Sequence, residues 1–195
     1  MAVAKRNIAF LIIDMAQEQF HPNGTPIITS WPGHAHILSL AQALPKERVF
    51  DSRLWISPAD NSSLHELYPG VGIAGRKGTE LCAELITKLP GLSTFVKKVQ
   101  YSAFYGAELD NLMAPENVGV VMLAGINTDY CVFASGLDAF YRGYEVWLIQ
   151  DACTTISGEA GHRRGIAEFK KFLGCKGIVM KTREALNRIQ EREKH

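Results

Sequence analysis

Long hydrophobic runs, paired cysteines and an excess of either charge are what this 195-residue sequence lacks. Its longest apolar stretch, Val118 to Ile126, is about half of the roughly 20 residues that a membrane-spanning helix needs. The apolar start at Ile8 soon meets Asp14, so the sequence predicts neither a spanning helix nor a cleaved signal peptide. Lys plus Arg number 21 and Asp plus Glu 20, giving a formal charge of +1 and no global field to attract nucleic acid or an anionic membrane. The four cysteines, Cys82, Cys131, Cys153 and Cys175, form no CxxC pair, which fits reduced thiols in a cytoplasmic protein. No Gly-x-Gly-x-x-Gly follows the first apolar run, where Asp14-Met15-Ala16 stands, and this argues against a dinucleotide-binding protein.

Apolar residues make up 47% of the chain, enough for one sizeable core and too few residues overall for two ordinary domains, so a single domain over 1–195 is expected. Short apolar runs alternate with longer amphipathic ones, a pattern that predicts an α/β, three-layer α-β-α fold around a central, mostly parallel six-stranded sheet. Strands are expected at Ile8–Ile13, Arg48–Arg53, Thr94–Lys97, Val118–Leu123, Glu145–Ile149 and Gly177–Met180. Helices are expected at His34–Leu44, Thr79–Leu89, Thr128–Arg142, Glu159–Phe172 and Arg183–Arg192, with Thr128 and Asp129 as capping residues of the third. Trp55 to Gly78, glycine-bearing and without a period, reads as a long surface excursion of the kind that walls binding sites.

Open parallel sheets bind ligands beyond the carboxyl ends of their strands. Asp14, the Lys97-Lys98 pair and Gly125 to Cys131 all fall there. A cysteine in the first turn of a helix feels unpaired N–H groups and the helix dipole, which favour its thiolate. A nearby lysine adds positive charge, and Asp14 is suited to take the thiol proton and return it to a leaving amine. Each residue also has a plainer reading: Cys131 as a small buried hydrophobe, Asp14 as a helix cap, and either lysine as a solvated charge. His34-x-His36 is a weak ligand pattern, and His162 with Arg163 and Arg164 reads as a solvated face.

Taken together, Ile12-Ile13-Asp14-Met15 with His21-Pro22-Asn23-Gly24, Lys98-Val99-Gln100-Tyr101-Ser102-Ala103-Phe104, Ala124-Gly125-Ile126-Asn127-Thr128-Asp129-Tyr130-Cys131-Val132 and Asp151-Ala152 resemble the isochorismatase-like cysteine hydrolases, in family order from about Asn7 to Met180. The resemblance implies a catalytic trio of Asp14 as base and acid, Lys98 (rather than Lys97) as the positive charge, and Cys131 as nucleophile. It also implies a cis Ile126–Asn127 bond and an oxyanion hole from the N–H groups of Asn127 and Cys131. The reaction expected is C–N hydrolysis of a small amide or ureido substrate through an acyl-thioester, in a homo-oligomer, dimer or tetramer, without a cofactor. The alternatives are isochorismatase-type ether hydrolysis, in relatives that commonly lack the cysteine, and a non-catalytic, redox-responsive member.

Departures from the family narrow this further. Leu54, Ile56 and Val71 fall where the metal-binding nicotinamidases carry Asp-x-His and a further His, so no metal is expected there. Gln19, or Phe20 after a one-residue adjustment, falls at the family's ring-pocket position. Arg53, Trp55, Arg76, Tyr101, Phe104 and Tyr130 are the remaining substrate-binding candidates. An inward Arg53 or Arg76 would select a small acid bearing an amide.

Overall fold

The computed structural model describes residues 7–20, 31–60, 62–106 and 108–193; the His21-Pro22-Asn23-Gly24 block lies outside them. Six parallel strands form one sheet: β1 (Asn7–Ile13), β2 (Val49–Leu54), β3 (Thr94–Lys98), β4 (Val118–Ile126), β5 (Glu145–Thr154) and β6 (Gly177–Met180), in the order β3-β2-β1-β4-β5-β6. β1 is buried almost end to end, as its unbroken Ile-Ala-Phe-Leu-Ile-Ile run requires of a central strand covered on both faces. The helices are α1 (Gln17–Phe20), α2 (Gly33–Gln42), α3 (Ser63–Leu67), α4 (Glu108–Met113), α5 (Cys131–Tyr141), α6 (Gly158–Leu173) and α7 (Thr182–Glu193). α2 packs with α7 and the sheet, and α5 with α6 and the sheet, which gives the three layers. Among the described residues no helix is long and apolar enough to cross a membrane.

Three expectations about the elements are corrected. β4 and β5 continue beyond Leu123 and Ile149, because a register shift lets Gly125 pair with Cys153 and Ile126 with Thr154. No α-helix forms over 79–89: Leu81 bridges to Ala16 and the Cys82 N–H donates to Met15 O at 2.9 Å, so this stretch is tied to the chain leaving β1 and turns irregularly instead. The excursion after β2 contains α3, whose start is capped by Ser62 Oγ accepting the His65 N–H.

The strand order reverses between β1 and β4, the switch point where a crevice opens in a doubly wound sheet. Asp14 leaves β1 at that crevice, and 127–131 leave β4 beside it. Lys98 ends β3 two strands away, with Lys97 exposed and Lys98 buried, as the period-two alternation of a strand demands.

Candidate active site

Asp14 holds a left-handed backbone (φ 50°), uncommon for a residue with a side chain. β2 fixes it there: the Asp14 N–H donates to Ser52 O at 2.8 Å, and Asp14 Oδ1 accepts the Leu54 N–H at 3.1 Å. Its Oδ2 lies 2.8 Å from Lys98 Nζ. Lys98 Nζ also donates to Gln100 O at 2.9 Å and contacts Cys131 Sγ at 3.6 Å, so one ammonium links the carboxylate, a backbone carbonyl and the sulfur. Asp14, Lys98 and Cys131 are 2%, 1% and 7% exposed, so the trio is assembled in a low-dielectric setting where each charge matters.

Burial alone would lower the Lys98 pKa, but the charges of Asp14 and Cys131 reverse this and the ammonium is held. Burial pushes the Cys131 thiol up to about 12, against the pull of Lys98 and with Asp14 adding to the rise. This direction runs against the thiolate expected from the helix start.

α5 begins at Cys131 itself, not at Thr128, and Tyr130 in the cap position makes no side-chain cap bond. Thr128 and Asp129 brace the loop instead. Thr128 Oγ1 donates to Thr154 O at 3.0 Å and meets His162 Nδ1 at 2.8 Å. Asp129 accepts from Thr155 Oγ1 at 2.6 Å and from Arg164 at 2.9 Å. His162 and Arg164, expected as solvated, therefore hold the loop that presents Cys131; Arg163 pairs with Glu159 at the surface. A Cβ on Gly165 would come within 2.9 Å of the Thr128–Asp129 backbone, so α6 can back this loop only through glycine. The Ile126–Asn127 peptide is cis, and Asn127 Oδ1 accepts the Ile156 N–H at 2.9 Å.

In front of Asp14 and Cys131 lies a cavity of about 370 Å³. Gln19, Tyr101 and Tyr130 line it, with Tyr101 and Tyr130 stacked at 6.3 Å and Tyr101 Oη donating to Tyr68 Oη at 3.2 Å. Leu54, at the end of β2, and Val71 also line it; Glu18, Leu64, Tyr68 and Ile156 complete much of the wall and were not anticipated, because they come from α1, the excursion and the chain after β5, whose convergence is tertiary. Leu54 and Val71 present hydrocarbon to the cavity, and with Ile56 carry no side-chain lone pair for a metal.

Five substrate-binding candidates are corrected. Phe20 is buried against Trp31 and His34, and Phe104 lies in the core beneath Arg142. Trp55 packs edge-on against Phe95 and borders a separate cavity. Arg53 pairs with Asp51 on the same face of β2, donates to Thr79 O and covers Phe95. Arg76 is exposed outside the cavity wall.

The Asp51 carboxyl of that pair is pushed up to about 6, chiefly by burial, with Arg53 opposing and Asp14 assisting. Between about pH 4 and 6 the folded chain then holds a proton that the unfolded chain has released, so this group's contribution to stability falls as pH rises through that window. Its full span is ~3 kcal/mol. Urea denaturation across pH 4–7 should show this downward component in the parent and not in Asp51→Asn. Identical pH slopes in the two proteins would refute it.

A family model described as the isochorismatase domain matches residues 2–184. An isochorismatase family protein of Bacillus subtilis (strain 168), PncA, is 28% identical over 115 residues, 56% of this chain and 62% of that protein. Nicotinamidase 3 of Arabidopsis thaliana is 28% identical over 155 residues, 77% of this chain and 75% of that one. The ureidoacrylate amidohydrolase RutB of Variovorax paradoxus (strain S110) is 30% identical over 100 residues, 51% of this chain and 39% of its own. The matches with the first and third thus span less than two thirds of those relatives' lengths. In structure the chain resembles nicotinamidase PncA from Bacillus subtilis (TM-score 0.76, 25% identity, 89% of this chain and 99% of that one). It also shares its fold with N-carbamoylsarcosine amidase from Thermoplasma acidophilum (TM-score 0.71, 23% identity, 90% and 96%).

Proposed function

Because the chain belongs to the isochorismatase family, we propose that it is a hydrolase cleaving the C–N bond of a small, uncharged amide through a covalent acyl-thioester on Cys131. The observation that carries this reading is Lys98 Nζ reaching both Asp14 Oδ2 (2.8 Å) and Cys131 Sγ (3.6 Å) at the foot of the cavity. Relatives named nicotinamidase and ureidoacrylate amidohydrolase support the class of bond.

In the reaction Cys131 Sγ attacks the carbonyl carbon as its proton passes to Asp14. Oxygen carries the displaced electron pair toward the N–H groups of Asn127 and Cys131; the latter opens α5 and so has no partner within the helix. Asp14 returns the proton to the departing nitrogen, the C–N bond breaks and the acyl-thioester remains. Water, deprotonated by Asp14, then attacks the thioester, and the acid leaves as the thiol re-forms. Lys98 keeps Asp14 and the sulfur in register throughout. Asp14 and Lys98 gathered with Cys131 at the cavity favour hydrolysis over a redox-responsive role. A single domain over 1–195, assembling as a cytoplasmic homo-oligomer, completes the proposal.

The charge of the cavity selects among amides. Among the described residues neither Arg53 nor Arg76 lines it, and its wall carries the carboxyl groups of Asp14 and Glu18 among tyrosine and aliphatic side chains. A substrate carboxylate meets no arginine among the described lining residues, so an uncharged aromatic or aliphatic carboxamide fits better than the amide-bearing acid that an inward Arg53 or Arg76 would have selected. Ammonia release should be at least tenfold faster, in kcat/KM, for nicotinamide-like uncharged amides than for maleamate or carbamoyl amino acids. Preference for the acids would overturn the assignment of charge.

A further inference from the structure

We propose that His34, Cys82 and Glu84 form a binding site for a thiophilic divalent cation of the zinc type, separate from the cavity. His34 stands in the first turn of α2, and Cys82 and Glu84 in the irregular stretch after the Ala16–Leu81 bridge. One ligand atom from each lies within 4.8 Å of the other two, the only such trio among the described residues.

The orientation of the imidazole carries the inference. His34 Nδ1 is 3.2 Å from Trp31 O, and a carbonyl oxygen only accepts, so Nδ1 bears the hydrogen and Nε2 presents a lone pair. That Nε2 is buried and has no hydrogen-bond partner among the described residues, a costly state for a polar atom. A backbone carbonyl fixing one ring nitrogen while the other faces ligands is the arrangement that orients metal-binding histidines. Phe20 and Trp31 hold the ring, each at 5.0 Å between centroids.

Nε2 and Glu84 Oε2 are 3.8 Å apart, whereas two ligands of a tetrahedral zinc stand roughly 3.3–3.6 Å apart. The Glu84 side chain, 55% exposed, is free to close the remaining gap. Nitrogen, sulfur and oxygen together suit zinc or cobalt and not magnesium or calcium, with water in the fourth position. A thiol ligates such a cation as its thiolate. Binding therefore releases the Cys82 proton to solvent, and affinity rises with pH. The bound cation would clamp α2 to the stretch whose Cys82 N–H holds Met15 O, next to Asp14.

The test is titration of chelator-stripped Cys131→Ser protein with cobalt(II), a background in which the cavity thiol is absent. One equivalent per chain should bind with a thiolate-to-cobalt charge-transfer band, be displaced by zinc, and weaken as pH falls. Cys82→Ser should lose the band, and Glu84→Ala, at an exposed position that spares the fold, should weaken binding at least tenfold. Absence of the band in the Cys131→Ser protein, or unchanged affinity in Glu84→Ala, would overturn the site.

Discussion

Cys131→Ala is expected to lower kcat/KM on the best uncharged amide by roughly ten-thousandfold or more, the scale seen when an enzyme loses its nucleophile. What survives is whatever Asp14 can do by activating water directly, helped by the same N–H groups. Stability should change little, because the sulfur borders the cavity and its removal opens no sealed void. Equal thermal midpoints beside the lost turnover separate chemistry from folding. Intact-mass analysis should also show an acyl adduct on the parent during turnover and none on the variant. Activity within tenfold of the parent would end the nucleophile assignment, even if amides remain the substrates.

The same prediction bears on the charge of the sulfur. A standing thiolate would be alkylated rapidly at neutral pH, whereas a thiol pushed up to about 12 reacts only as its proton is taken. Exposed Cys175 should therefore be modified by iodoacetamide ahead of Cys131 at pH 7. A helix beginning near Cys131 was legible in the sequence, though placed three residues early; the burial that opposes its dipole was not, since desolvation depends on α5, β3 and the crevice closing around one atom.

This difference runs through the molecule. Local periodicity placed the six strands, and with them Asp14, Lys98 and Cys131 at strand ends, because strands buried on both faces write continuous apolar runs into the chain. The choice between Lys97 and Lys98, open on spacing, rested on the family resemblance; the strand alternation buries Lys98. Thr79–Leu89 carried a helical pattern, yet its Leu81 and Cys82 are held by the chain leaving β1, so tertiary contacts override propensity there. Arg53 misled for a related reason: its partner Asp51 stands two residues away on the same strand face, a pairing that reaches across no fold and turns the guanidinium from the cavity. Glu18 had no sequence signal, and Leu64 and Tyr68 had none beyond their place in the excursion. Thr128 and Asp129 had a signal, as caps, which the structure uses for bracing against α6 and β5.

The second large effect is expected at Gly125, where the fold and the site meet. β4 passes β1 so closely there that a Cβ would stand 2.1 Å from Ile13 O and 2.8 Å from Ile13 N, with the glycine at φ 115°. An alanine in that conformation is strained before any contact is counted, and the backbone it strikes cannot swing aside as a side chain would. Gly125→Ala should therefore cost upward of ~4 kcal/mol, a large share of the 5–15 kcal/mol that stabilises a domain. Urea midpoints measure that loss. The struck residue precedes Asp14, so any relaxation moves the carboxylate away from Lys98 and Cys131. Ammonia release measured at low temperature, on the fraction that remains folded, should consequently fall further than the folded population does. A variant with the parent's midpoint and the parent's turnover would show that β4 does not press on β1 at this point, and that the site tolerates a spacing this geometry forbids.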